Sequence, residues 1–170
     1  AYEPPAPKGE AILVPKNSPI NTLADLKGKK IALNKGSNVH FLLVQALEKA
    51  GVKYSEITAI YLAPADARAA FERGAVDAWV IWDPFQAAAE AATGARTLTD
   101  ATGLAPNRQF YFAGQKFANA NPAAVDAILA GIADIDRWAD GKEKAVAEEL
   151  SPGIGIPAPV LEVALKRQTY

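Results

Sequence analysis

The stretch KGSNVHFLL, residues 35–43, places Gly36, Ser37 and Asn38 where a short apolar run gives way to a helical stripe. Small residues at such a break leave backbone N–H groups without intrahelical partners. Together with the helix dipole, those groups make a seat for an anion. Two readings fit the residues alone: Ser37 or Asn38 caps its own helix and nothing binds, or the first turn holds a ligand. The stretch lacks both the G-x-x-x-x-G-K-[ST] spacing of a phosphate loop and the G-x-G-x-x-G of a dinucleotide fingerprint. His40, the single histidine, falls just inside the same helix; with no second histidine or cysteine beside it, it reads as a contact or surface residue rather than a catalyst.

Two further breaks have the same form. In APADARAAFERG, Pro64 and Asp66 fall in a helical first turn, where proline and an acid are favoured whether or not a ligand exists, and Arg68 either reaches a ligand or solvates. In WDP, Asp83 reads as an N-cap and Pro84 as the first helical residue. Trp82 at that strand end either fills core or walls a pocket, where its ring covers apolar ligand surface and its N–H donates one hydrogen bond. No nucleophile–base pair and no G-x-S-x-G elbow is present, so nothing positive points to catalysis.

The elements that position these breaks alternate. Strands are expected at Ala11–Val14, Lys30–Asn34, Ile57–Leu62, Val76–Trp82, Arg96–Leu98 and Gln109–Ala113. Helices are expected at Val39–Ala50, Pro64–Arg73 and Asp83–Thr93, with a capping-box-like start at Thr22 and Asp25. Alternation with short connections predicts an α/β fold, a helix-flanked and mostly parallel sheet. Ligands in such sheets bind beyond the strands' carboxyl ends, so the three junctions are expected to share one edge. After Asn121 the pattern turns helical: a stripe from Val125 to Trp138, a helix at Glu143–Leu150 broken by SPGIGIPAP, and a third helix near Pro159. The expected organisation is a linker over residues 1–10, an α/β lobe over 11–120 and a helical return segment over 121–170.

Composition narrows the class. The 170 residues are 50% hydrophobic and 22% charged, enough for a real core, and the net charge of −1 gives no field that selects nucleic acid. There is no cysteine, and one histidine without cysteine argues against a transition-metal site. No cofactor is expected. No basic stretch followed by an apolar one opens the chain, so a signal peptide is not expected within it.

LADLKGKKIALNKGSNVHFLL, then YLAPADARAAFERGAVDAWVIWDPF, then a helix opening on Asn-Pro, together resemble the aliphatic sulfonate-binding proteins of bacterial ABC importers. These belong to the wider type II periplasmic binding proteins that take nitrate, taurine, bicarbonate and thiamine precursors. PADARAAF with VDAWVIWDP is the narrower part of the likeness, which runs from about Pro4 to the end. The resemblance implies one lobe of a two-lobed receptor with its first lobe absent, the prolines near the start lying at the hinge. It implies that Gly36, Ser37 and Asn38 face the sulfonate, with His40, Pro64, Asp66, Trp82 and Asp83 near the cleft. It also implies a periplasmic location, a membrane permease as partner, and a monomeric intact receptor, with exchange of the N-terminal segment between copies possible in this shorter chain. Receptors of the same fold for nitrate, taurine or a thiamine precursor, or a lobe reused as a regulatory effector domain, are the alternatives. A related enzyme of pyrimidine precursor synthesis would call for more His and Cys than this chain has.

Overall fold

The computed structural model describes residues 1–169. The chain divides into two compact units: Pro7–Asn107, and Ala1–Ala6 with the chain from Arg108 onward. Residues 108–120 thus group with the C-terminal helices.

The first unit is built on five strands, β1 Glu10–Val14, β2 Lys30–Leu33, β3 Thr58–Tyr61, β4 Ala78–Trp82 and β5 Arg96–Asp100. They lie in the order β3-β2-β4-β1-β5. Strands β3, β2 and β4 pair in parallel, with Leu33 beside Tyr61 and Ala32 beside Trp79. Strand β1 runs against both its neighbours, so that Ile12 faces Val80 on one side and Thr99 on the other. The sheet is therefore mixed: four strands share one direction, as the alternating pattern predicts, and β1 alone is reversed.

Period-2 alternation divides the sheet's side chains between two cores. Ile12, Val14, Ile31, Leu33, Ala78 and Val80 pack under α1 (Asn38–Lys49) against Val39, Leu42, Leu43, Ala46 and Leu47. Ala11, Leu13, Ala32, Trp79 and Ile81 pack on the other face against α2 (Pro64–Glu72) and α3 (Phe85–Thr93). Every residue of β1 is buried, consistent with a strand covered on both faces and both edges.

The second unit is helical: α4 Gln115–Ala120, α5 Pro122–Ala139, α6 Glu143–Ile154 and α7 Ala158–Leu165. Helix α4 has no apolar stripe long enough to announce it. Helix α6 runs through Pro152 to Ile154 and stops at left-handed Gly155, rather than breaking at Ser151. Gln109–Ala113, expected as a strand from its aromatic residues, makes only one bridge, between Phe110 and Tyr2. The N-terminal segment is tied to it, with the Glu3 N–H donating to the Gln109 carbonyl at 3.0 Å and that of Tyr111 to the Ala1 carbonyl at 3.0 Å. An apolar groove of about 540 Å³ in this unit is lined by Phe110, Phe112, Phe117, Ile128 and Ile132 among others. Phe112 and Ile128 lie largely in solvent. No described helix is long and apolar enough to cross a membrane.

Candidate functional site

The three expected junctions do share one edge of the sheet. Ser37 follows β2, Pro64 follows β3 and Trp82 ends β4, and all three strands run the same way. Because β1 is reversed, its first residue, Glu10, reaches the same edge and stands opposite Trp82 in the register.

At the first junction Gly36 turns the chain with φ of +77°, a left-handed conformation that costs an L side chain about 1–2 kcal/mol. Ser37 occupies the N-cap position of α1 but does not cap with its side chain; its hydroxyl donates to the Asn34 carbonyl at 2.8 Å. The helical bonds begin with the N–H groups of His40 and Phe41, both donating to the Ser37 carbonyl. Among the described residues, no hydrogen-bond acceptor is recorded for the N–H groups of Asn38 and Val39 at the first two helical positions. Ser37 is therefore not a side-chain cap; Val39 is itself wholly buried, so the group left to an acceptor from outside is the N–H of the exposed Asn38.

His40 turns back on this junction, its Nδ1 accepting the Gly36 N–H at 3.0 Å. Its ring lies 5.5 Å from that of Tyr54 and 5.9 Å from that of Tyr61. The two phenols are hydrogen-bonded to each other at 3.1 Å, and Lys35 Nζ stands 5.1 Å from the centre of the Tyr61 ring. Burial first, then the bond from Tyr61, holds the Tyr54 phenol above its ordinary range. One flank of the helix start is thus a set of neutral donors with one cation.

The other flank is an acid. Glu10 is fully buried, its Oε2 accepting from Asn38 Nδ2 at 2.6 Å, while Oε1 has no partner. Asn38 Nδ2 also reaches Asn107 Oδ1 at 3.3 Å. Burial pushes the Glu10 carboxyl up to about 7, against the opposing pull of the Asn38 bond. Sequence reasoning missed Glu10. The sequence put Glu10 in the linker over residues 1–10, and the reversal of β1 carries it into the interior at the site edge.

The other junctions are more structural. Pro64 is the first residue of α2, Asp66 is exposed in its first turn, and Arg68 pairs with Glu72 at 2.7 Å on its own helix. Asp83 is not the N-cap: its peptide bond to Pro84 is cis, Pro84 occupies that position, and α3 begins at Phe85. Its carboxylate still serves the helix start, taking the Ala87 N–H at 3.0 Å. Trp82 is half-buried, packed partly against both cores and edge-on to Phe85 at 6.3 Å. Part of its ring fills core and part remains at the edge. Among the described residues, no group of His, Asp and Glu could hold a metal ion.

A helix start with an open N–H group, near an aromatic ring at a carboxyl edge, has the means to hold a small anion and cover an apolar substituent. A family model described as NMT1/THI5 like matches residues 8–135. The chain belongs to the NMT1/THI5-like family. It is 47% identical, over 94% of its own length, to an aliphatic sulfonates-binding protein of Escherichia coli (strain K12), of which it covers 50%. The crystal structure of the periplasmic aliphatic sulphonate binding protein SsuA from Escherichia coli superposes with a TM-score of 0.90 at 45% identity, over 97% of this chain and 54% of that one. The alkanesulfonate-binding protein SsuA from Xanthomonas axonopodis pv. citri, bound to MOPS, superposes with a TM-score of 0.86 at 38% identity, over 97% of this chain and 57% of that one. The chain therefore spans about half the length of the relatives it matches.

Proposed function

We propose that this chain is the lobe of a solute-binding component of an ABC importer, and that it takes part in capturing aliphatic sulfonates in the periplasm for delivery to a membrane permease. The observation that carries the reading is the helix start at Asn38, whose N–H has no protein acceptor, near Trp82, in a chain so similar to sulfonate binders. The role is non-catalytic. The sulfonate group accepts from the N–H of Asn38, Gly36 and Ser37 hold the turn that presents it, and His40 braces Gly36. Pro64 and Asp66 stand at the neighbouring strand end. Trp82 covers the alkyl group, and Asp83 fixes the start of α3 behind it.

The role of Trp82 sets an expected result. Removing the ring withdraws cover from the alkyl chain, at about 0.8 kcal/mol for each methylene it shields. Trp82→Ala is therefore expected to weaken pentanesulfonate and octanesulfonate more than methanesulfonate. Isothermal titration across the series checks this, and equal losses at every length would remove Trp82 from the wall of the site.

A sulfonate is well hydrated, and a tight site replaces that shell with donors from several sides. One lobe offers the donors of one helix start. The 170-residue chain alone is thus expected to bind alkanesulfonates with a dissociation constant of about 1 mM or weaker, since each 1.4 kcal/mol of lost contact is about tenfold in affinity. A micromolar constant would show that the lobe suffices by itself. In this reading the remaining donors come from a second lobe, the intact receptor is a monomer, and exchange of the N-terminal segment between copies would replace the bonds that tie residues 1–3 to residues 109–111.

A further inference from the structure

We propose that Glu10 is a positioning residue that couples anion capture at the start of α1 to uptake of a proton from solvent: the site accepts the anion while the Glu10 carboxyl is neutral and rejects it once that carboxyl ionises. The inference rests on the reading just given.

The geometry makes the case. Glu10 is fully buried and hydrogen-bonded at 2.6 Å to Asn38, the exposed first residue of the helix, whose own N–H has no protein acceptor. Its second oxygen is buried and unpartnered, an arrangement that strongly disfavours an ionised carboxylate. A negative charge at this point would oppose both the helix dipole's attraction for an anion and the anion itself. Among the described residues, the charged groups on the elements around it include Lys8, exposed two residues ahead of Glu10. Strand β4 is followed at this edge by Asp83, and β5 ends there at Asp100, both carboxylates. Helix α1 supplies His40, whose Nδ1 is engaged by Gly36, and the neighbouring loop supplies the amide of Asn107. Lys35, at the junction, is drawn to the Tyr61 ring on the other flank. Burial raises the carboxyl to about 7, so its ionisation falls inside the ordinary working range. A bound anion raises it further, and linkage makes that increase equal to a loss of affinity with rising pH.

The probe is methanesulfonate, added to the 170-residue chain and followed through the amide shifts of Asn38 and Val39 between about pH 5 and about pH 9. The expected dissociation constant is nearly flat below about pH 6 and rises by about three- to tenfold per pH unit above about pH 7.5. Glu10→Gln keeps an acceptor for Asn38 but cannot ionise. It is expected to bind with a constant independent of pH, tighter than the unmodified chain at about pH 8.5 by the factor the latter has lost. A flat profile in the unmodified chain overturns the proposal. So does a slope that survives in Glu10→Gln, which would assign the titration to another group, or a uniform weakening of that variant at every pH, which would make Glu10 a purely structural prop. Binding that tightens with pH for 2-aminoethanesulfonate also overturns it, because the carboxylate would then be reading an ammonium group. If neither protein's amides move with about 100 mM methanesulfonate at any pH, the sulfonate reading itself fails. Movement with a flat profile sinks only the proton coupling.

Discussion

Trp79→Ala is expected to lower the unfolding free energy by about 3–5 kcal/mol, the range for removing a large buried aromatic side chain. Trp79 lies on β4, between β2 and β1, and is wholly excluded from solvent. Its ring sits 5.9 Å from that of Phe71, inclined at 47°, in a core whose other helical members are mostly alanines, Ala67, Ala70 and Ala89. Short side chains let the helices approach the sheet closely but have no reach with which to fill a vacated indole. The strand cannot retreat either, since its other face is locked under α1 through Ala78 and Val80. The cavity therefore persists, and its cost adds to the lost burial. Urea denaturation read by circular dichroism gives the number. A loss under about 1 kcal/mol would mean that α2 and α3 collapse onto the gap.

Stability is also expected to fall as pH rises through the range in which most proteins are indifferent. The cause is Glu10, whose carboxyl burial pushes up from its ordinary 4.5 to about 7 in the folded chain. Between those values the folded state holds a proton that the unfolded chain has released, so the unfolded state binds fewer protons and stability drops with pH. The contribution is fully present below about pH 4.5 and is lost as pH rises to about 7, at about 1.4 kcal/mol per unit, or about 3 kcal/mol in all. Asp25, held low by the N–H groups of Asn21 and Thr22, and Glu56, held low first by its bond to Lys27, act in the opposite sense. Their contributions are present above their ordinary values and fade in acid. The clean measurement is therefore the difference between the unmodified chain and Glu10→Gln in urea at about pH 5 and about pH 8. The two curves converge at the lower pH and separate at the higher if the acid is the cause. Parallel curves would place the ionisation elsewhere.

The fold and the site were unequally legible in the sequence, and the difference has a physical basis. Strands β2, β3 and β4 and helices α1, α2 and α3 were readable to within a few residues. Each carries its own signal: a short β-branched or apolar run, a period near 3.6, a glycine stop or a proline start. The carboxyl edge followed from their alternation. The direction of β1 did not, because Ala11–Val14 is apolar at every position and fits a buried strand running either way. Without that direction Glu10 fell at the end of the expected linker over residues 1–10, whereas it is the buried first residue of β1. Ser37 misled in a smaller way, since its type is that of a cap and only the turn's geometry sends its hydroxyl to Asn34. Asp83 and Pro84 have the order of a cap and a first helical residue, yet the helix starts one residue later. Phe110 and Phe112 have strand-forming side chains but no strand beside them to pair with beyond the bridge at Tyr2.

The reversed strand also sets an order of events during synthesis. Strand β2, helix α1 and strand β3 follow one another closely, and that part of the sheet can assemble as soon as it is made. Strand β1 precedes all of them, yet Ile12 pairs only with Val80 and Thr99, far along the chain. Until those residues leave the ribosome, the most buried strand of the sheet waits with both edges bare, and closing its pairings requires a loop that encloses most of the unit. Such a segment is where a nascent chain is most exposed to wrong partners and most in need of a chaperone. An acid at its head and Pro15-Lys16 at its tail bracket the apolar run AILV with features that discourage edge-to-edge pairing. The buried carboxyl thus stands, before folding is complete, as a charge guarding a sticky strand.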